Sequence, residues 1–291
     1  MSAGKRIALV TGANKGIGFA IVRGLCKALG DRGTVYLAAR NEQLGQQSVA
    51  ELKTEENLHS EFIQLDVTDR KSIEKARDAI VERHGGLDIL VNNAGMAFKH
   101  DATESFGQQA EVTMATNFFG LSDVCDVMFP ILRSHARVVN VSSCLGNVNT
   151  ITSATIKARV ISDDLTVDEL KTIMSDFVSA AKRDTQKAYI KEVGFPTSAY
   201  GMSKIGVTAL SSIQQRQLDQ DRSRTDIVVN AIHPGYVDTD LTSHKGSRTI
   251  DEGAVSSIYA ALLPEKTDIR GQYVSCNSQV EDWRKGVQRT A

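Results

Sequence analysis

The chain has 291 residues, 41% of them hydrophobic and 24% charged, with a formal net charge of −1; that suits one large α/β domain or two small ones and gives no field to gather nucleic acid or anionic membrane. Its four cysteines, Cys26, Cys125, Cys144 and Cys276, are dispersed without metal or disulfide spacing, as expected in a reducing compartment. No apolar run nears the ~18 residues that span a bilayer, and neither Met1 to Arg6 nor Arg289-Thr290-Ala291 carries a targeting signal, so the expected location is cytoplasmic.

Arg6-Ile7-Ala8-Leu9-Val10 is a short, β-branched apolar run suited to a buried parallel strand. It leads into Thr11-Gly12-Ala13-Asn14-Lys15-Gly16-Ile17-Gly18 and then a helical pattern through Ala20, Ile21, Leu25 and Leu29. Strand, glycine turn and helix in succession make a phosphate site. Gly12 permits the tight turn, Gly16 lets a pyrophosphate reach the backbone, and Gly18 lets helix and strand pack closely. The G-x-x-x-G-x-G spacing departs from the usual dinucleotide G-x-G-x-x-G. A second strand, residues 34–38, ends near Arg40. An acid at this point holds a ribose 2′-hydroxyl, whereas an arginine suits a 2′-phosphate. Arg40 taken alone also reads as a solvated side chain; with Lys15 in the turn it favours NADP.

Residues 42–56 read as a polar helix and 62–65 as a third strand. Asp66, at that strand's end, is either an acceptor for an adenine amine or a cap or turn former for the helix starting near Thr68 or Asp69. This helix turns Ile73, Ala76 and Ile80 inward and stops at Gly85-Gly86. Strand four, 87–91, delivers Asn92-Asn93-Ala94-Gly95. A long helical pattern over 106–132 holds Asn117 among Met114, Phe118 and Phe119, and an amide buried there needs partners. Strand five, 137–141, ends in Ser142-Ser143. Between Leu145 and Thr197 lies an insert too long to be structureless. It carries a capping box at Thr166 and Glu169 and one apolar stripe, Leu170, Ile173, Met174, Phe177, Val178 and Ala181.

Tyr200 and Lys204 then share one helix face. A phenol has a reference pKa of ~10, and a cation held beside it brings that value toward the working range. Strand six, 227–232, is followed by His233-Pro234-Gly235-Tyr236, a last helix spans about 251–262, and a final strand lies near 272–274. The βα alternation predicts one Rossmann-like domain over 1–291: a doubly wound parallel sheet, with the helical insert at about 145–197.

The ordered set Thr11-Gly12-x-x-x-Gly16-x-Gly18, Asn92-Asn93-Ala94-Gly95, Asn117, Ser143, Tyr200-x-x-x-Lys204 and Pro234-Gly235 resembles the short-chain dehydrogenase/reductase family along nearly the whole chain. Within that family it looks like the NADPH-dependent carbonyl reductases of animals, on Asn14-Lys15-Gly16-Ile17-Gly18, Ala97-Phe98-Lys99, Thr116 to Gly120, Ser198 to Gly201 and the long insert. The resemblance implies reduction of aldehydes, ketones and quinones by hydride transfer from NADPH. It makes Tyr200 the proton donor, and gives Ser143 a hydrogen bond to the substrate oxygen with Ser142 behind it. Lys204 holds the ribose and lowers the tyrosine pKa; Asn117 anchors a water that relays protons to Lys204. Asn14, Lys15, Ile17 and Arg40 attend the phosphates. Asp66 and Val67 lie along the adenine, Asn93 supports the cofactor, and Pro234, Gly235, Val237 and Thr239 complete the cofactor site. Tyr236 forms an apolar substrate wall, and no metal is implied.

A monomer is also implied, because the inserted helix covers the surface through which many family members pair. His233 reads as a strand-end residue and Cys144 as a small buried packing residue rather than a quinone-reactive thiol. Trp283 reads as a pin for the C-terminal tail. Two other readings stand beside the reductase: a dedicated alcohol or steroid dehydrogenase with the same site, and a non-catalytic NADP-binding module.

Overall fold

A computed structural model describes residues 5–99, 101–183 and 187–287; the terminal segments read above for targeting signals fall outside these ranges in whole or in part. The strands are Arg6–Val10 (β1), Gly33–Ala39 (β2), Glu61–Gln64 (β3), Leu87–Asn92 (β4), Leu132–Val141 (β5), Val228–Ile232 (β6), Tyr273–Val274 (β7) and Val280–Glu281 (β8). They form one sheet in the order β3-β2-β1-β4-β5-β6-β7-β8. All neighbours are parallel except β7 and β8, which pair antiparallel. The antiparallel hairpin is a departure from the all-parallel expectation, and two-residue strands are too short to display any period.

The helices are Gly16–Leu29 (α1), Glu42–Glu56 (α2), Arg70–His84 (α3), Phe106–Met114 (α4), Leu121–Met128 (α5), Ala154–Val160 (α6), Val167–Arg183 (α7), Ala188–Glu192 (α8), Ala199–Asp219 (α9) and Ile250–Ala261 (α10). Alternation along each strand sorts them onto two faces. Ala8 and Val10 of β1 pack with α1 and α10, and Ile7 and Leu9 pack on the other side with α3 and α5. Because both faces are covered, the strands read as unbroken apolar runs.

The expected single helix over 106–132 is divided. After α4 the backbone widens into a π-helical stretch, Ala115–Gly120, before α5, and a 3-10 turn at Phe129–Ile131 leads into β5. Asn117 sits in the widened stretch, a type of irregularity found often at functional sites.

The insert supplies three helices, α6 to α8, where the sequence signalled one. Its main helix, α7, begins at the expected capping box: Thr166 N–H donates to Glu169 Oε2 at 3.0 Å, and Glu169 N–H donates to Thr166 Oγ1 at 3.3 Å. Leu170, Met174, Phe177 and Ala181 are buried, while Ile173 and Val178 lie at the margin, only partly covered. Phe177 meets Phe106 of α4 edge-on at 6.1 Å and Phe195 at 5.7 Å. On α9, a Cβ at Gly206 would come within 2.8 Å of Phe118 and 3.0 Å of Met174, so the glycine lets α7 and α9 approach. Lys182 pairs with Glu111 at 2.6 Å and Lys171 with Asp126 at 3.3 Å. The inserted helix thus lies over α4 and α9, and burying each large side chain contributes roughly 1.5–3 kcal/mol at most.

The tail packs on the insert as well. Trp283 is buried, Asn147 and Asn149 donate to the carbonyls of Val287 and Lys285 at 3.1 and 2.9 Å, and Arg284 pairs with Asp163 at 2.6 Å.

Candidate active site

The sheet order reverses between β1 and β4, and it is outside the carboxyl ends of strands at such a point that open α/β sheets take ligands. Here the chain leaves β1 through the glycine turn. Gly12 and Gly16 have φ of +61° and +60°, a region that L side chains enter at a cost. Gly18 is needed for another reason: a Cβ there would lie 2.4 Å from Asn93 Nδ2. That amide donates to the carbonyls of Thr11 and Gly12 at 2.9 and 3.0 Å, clamping the turn to the end of β4. Lys15 stands at the N-cap of α1 but its side chain does not cap the helix. The first N–H groups and the positive end of the helix dipole therefore face the cleft. This cradle fits a pyrophosphate.

The cleft has a volume of about 1340 Å³ and is lined by every cofactor and substrate residue singled out from the sequence. Asn14, Lys15, Gly16, Ile17 and Gly18 form one end with Arg40, Asp66 and Val67. Asn93, Ser143, Tyr200 and Lys204 also line it, as do Pro234, Gly235, Tyr236, Val237 and Thr239 in the segment after β6. Arg40 is exposed and has no carboxylate partner among the described residues, whereas Lys15 pairs with Asp240 at 2.6 Å. Asp66 accepts from Thr68 N–H and Oγ1 at 2.9 and 2.7 Å, so the turn-forming reading is realised; the cap of α3 is Asp69.

Of the predicted catalytic set, only Asn117 lies off the cleft wall, wholly buried beneath it. Its amide donates to Met96 O at 2.9 Å and Ser203 Oγ at 3.1 Å, and it accepts from Met96 N–H at 2.8 Å. That satisfies the amide and ties the loop after β4 to α9. Ser143 lies beside the Tyr200 phenol, and its hydroxyl favours the phenolate. Ser142 is directed into the protein instead, donating to Lys204 O at 3.0 Å and meeting Thr208 Oγ1 at 2.7 Å. Of the two serines, Ser143 is thus the one beside the phenol, and Ser142 packs behind it.

Lys204 Nζ is 5.6 Å from the Tyr200 ring centre and donates to Val141 O at 2.6 Å. Burial pushes the Tyr200 phenol up to about 12; the neighbouring Ser143 hydroxyl opposes the rise and nearby Cys144 adds to it. Burial also brings the Lys204 ammonium down to about 8. The expected depression of the tyrosine by the lysine is thus not met. The ammonium directs a proton at the Val141 carbonyl, and desolvation sets the direction of both shifts.

Cys144 is half-buried and lines the cleft rather than lying in the core. His233 is the strand-end residue expected. It is buried, stacked on Tyr273 at 5.5 Å, accepts weakly from Gly235 N–H at 3.3 Å, and burial holds its pKa down to about 4.

The apolar mouth is formed by Met96, Val112, Leu145 and Leu241; Met96, Leu145 and Leu241 stand on loops that sequence reasoning expected at the pocket, whereas Val112 was missed. Val112 and Thr116 had a signal, one helical turn apart and just ahead of Asn117, but the others sit on loops without a period. Sequence reasoning also missed Asp240 and His244, which meet at 3.0 Å with a four-residue spacing that could have marked them.

Comparison with known proteins agrees with this geometry. Residues 6–157 match the pattern of the family described as short chain dehydrogenase. The chain is 45% identical over 285 residues to carbonyl reductase (NADPH) 3 of Rattus norvegicus, and 45% identical over 286 residues to carbonyl reductase (NADPH) 1 of Homo sapiens. Each alignment covers 97% of this chain and all of the relative. Among solved structures, salutaridine reductase from Papaver somniferum superposes with a TM-score of 0.81 at 28% identity, over 92% of this chain and 99% of its own. Menthone neomenthol reductase from Mentha piperita gives 0.77 at 28%, over 94% and 99%.

The buried lysine has a consequence for stability. Its folded pKa, near 8, lies below the ordinary lysine value of 10.5, so between these values the unfolded chain binds the extra proton and stability rises with pH. The stability of cofactor-free wild type minus that of Lys204→Met should therefore climb by at most about 1.4 kcal/mol per unit across that window. Urea denaturation from pH 7.5 to 10.5 measures it, and a flat difference would contradict the burial.

Proposed function

This chain belongs to the short chain dehydrogenase family, and from that premise we propose that it is an NADPH-dependent carbonyl reductase with Tyr200 as proton donor. The observation that carries the reading is that Ser143, Tyr200 and Lys204 line the same cleft as the glycine turn. The relatives named as NADPH carbonyl reductases over their full length support the same chemistry.

NADPH, when bound, supplies the hydride. The side chains handle the oxygen. As hydride reaches the carbonyl carbon, negative charge grows on oxygen, and the hydroxyls of Ser143 and Tyr200 donate to it. Tyr200 passes its proton to the product. In this reading Lys204 meets the ribose, and a more polar surrounding for its ammonium favours the phenolate that the reaction leaves behind. Asn117 fixes Met96 and Ser203 and, as the family resemblance suggests, anchors the water through which Lys204 is reprotonated. Arg40 and Lys15 meet the 2′-phosphate, Asp66 and Val67 the adenine, and Pro234, Gly235, Val237 and Thr239 the nicotinamide half. Tyr236, 46% exposed at the cleft rim, makes an apolar wall with Leu145 and Val112. Aldehydes, ketones and quinones of moderate size are the substrates this cleft suits.

The location proposed is cytoplasmic: no helix among the described residues is long and apolar enough to cross a membrane, and the cysteines are dispersed. A monomer is proposed too, because α7 covers the outer face of α4 and α9.

Two measurements check these readings. Tyr200→Phe should lower turnover by several orders of magnitude while NADPH still binds; near-normal turnover would remove Tyr200 from the mechanism. Light scattering should give the mass of one chain, 31.6 kDa, across a range of micromolar concentrations, and a stable dimer or tetramer would refute the monomer.

A further inference from the structure

The loop over residues 236–247 forms one side of the cleft mouth and is held from two directions by lysines. Lys99 donates to the Asp240 carbonyl and, at 2.9 Å, to Ser243 Oγ. Lys15, in the glycine turn, pairs with Asp240 Oδ2 at 2.6 Å. The second carboxylate oxygen, Oδ1, lies 3.0 Å from His244 Nε2, and the other ring nitrogen of His244 lies 2.8 Å from Asp238 Oδ1. Asp240 thus has two side-chain partners, one on each oxygen. One of them is a cation assigned above to the cofactor.

We propose that Asp240 sets cofactor discrimination by competing with the 2′-phosphate of NADPH for Lys15, with His244 as the partner that keeps the carboxylate when the lysine changes hands. The inference rests on the reading of NADPH as cofactor. Both members of the Lys15–Asp240 pair are well exposed, their side chains at 68% and 59%, and pairs so exposed to water are weak. A phosphate monoester carries about −1.5 to −2 charges and three strong acceptors, so it attracts Lys15 more strongly than one carboxylate does. The exchange still has a cost, since Asp240 loses a partner next to an incoming anion. His244 limits that cost: hydrogen bonds to Asp238 and Asp240 raise its pKa and favour its cationic form.

Arg40 stands apart, with no carboxylate partner among the described residues, and needs no exchange. NADH has a hydroxyl where NADPH has the phosphate and leaves the Lys15–Asp240 pair intact. Asp240 therefore acts on the difference between the two nucleotides. A simple latch on the loop would act on both alike.

The test is calorimetric titration of the full chain with NADPH and with NADH, without substrate. Asp240→Asn should tighten NADPH by roughly three- to tenfold and leave NADH within twofold. In a Lys15→Ala background most of that gain should vanish, which is the coupling a double-mutant cycle isolates. His244→Gln, on the same exposed loop, should weaken NADPH severalfold and NADH little. Equal weakening of both nucleotides by Asp240→Asn would overturn the proposal in favour of a latch. No change, or a gain that persists in full without Lys15, would overturn it as well. A wild type that fails to bind NADPH would overturn the cofactor reading itself, and this inference with it.

Discussion

A lysine ammonium 3% exposed to solvent, donating at 2.6 Å to the carbonyl at the end of β5, is the constraint around which the centre of this protein is arranged. A charge so placed is tolerable only where its neighbours are fixed, and those neighbours account for much of the local structure. Ser142 and Thr208 meet beside the Lys204 carbonyl. A Cβ on Gly146 would come within 2.8 Å of the Lys204 backbone, and one on Gly95 within 3.6 Å of Nζ. Asn117, in its π-helical stretch, holds Met96 on one side and Ser203 on the other. The segments after β4 and β5, together with the π-helical stretch, are thereby tied to the helix that carries Tyr200.

The sheet supplies the convergence. Parallel strands end on the same edge, so the segments after β1, β4, β5 and β6 all open toward one cleft although they are far apart in sequence. Reversal of strand order beside β1 parts the connections there and makes room for a dinucleotide. Asn93 closes the system by bonding the glycine turn from the neighbouring strand's end. The insert adds a third layer over α4 and α9, with the aromatic contacts of Phe177 as its anchor, and thereby supports the helices that bear Asn117 and Tyr200 from outside.

What was legible in the sequence had a period or a forced backbone. Both-face burial marks β1, β2, β4, β6 and the second half of β5, capping boxes mark helix starts such as Thr166, and the glycine turn reports itself because only glycine meets its positive φ and its close approach to Asn93. The candidate site residues fall together in one cleft for the same reason, each being tied to a strand end or helix start. What stayed illegible depends on long-range geometry. The β7–β8 hairpin is too short for alternation, and the π-helical widening leaves the apolar pattern around Asn117 unchanged. Pairing of Lys15 with Asp240 joins residues 225 apart in the chain. The sign of the Tyr200 shift could not be read from the Tyr-x-x-x-Lys spacing, because it depends on how deeply both groups are buried and on the Val141 carbonyl that claims the lysine's proton.

The central claim is that this arrangement moves hydride from NADPH to a carbonyl and a proton from Tyr200 to its oxygen. It is tested most directly by following NADPH absorbance with purified protein against aliphatic, aromatic, quinone and steroid carbonyls, with the products quantified alongside. The account predicts consumption of NADPH with at least the aromatic or quinone members, one reduced product per NADPH oxidised, and far slower turnover with NADH. Binding of NADPH without oxidation by any carbonyl in the panel would contradict it.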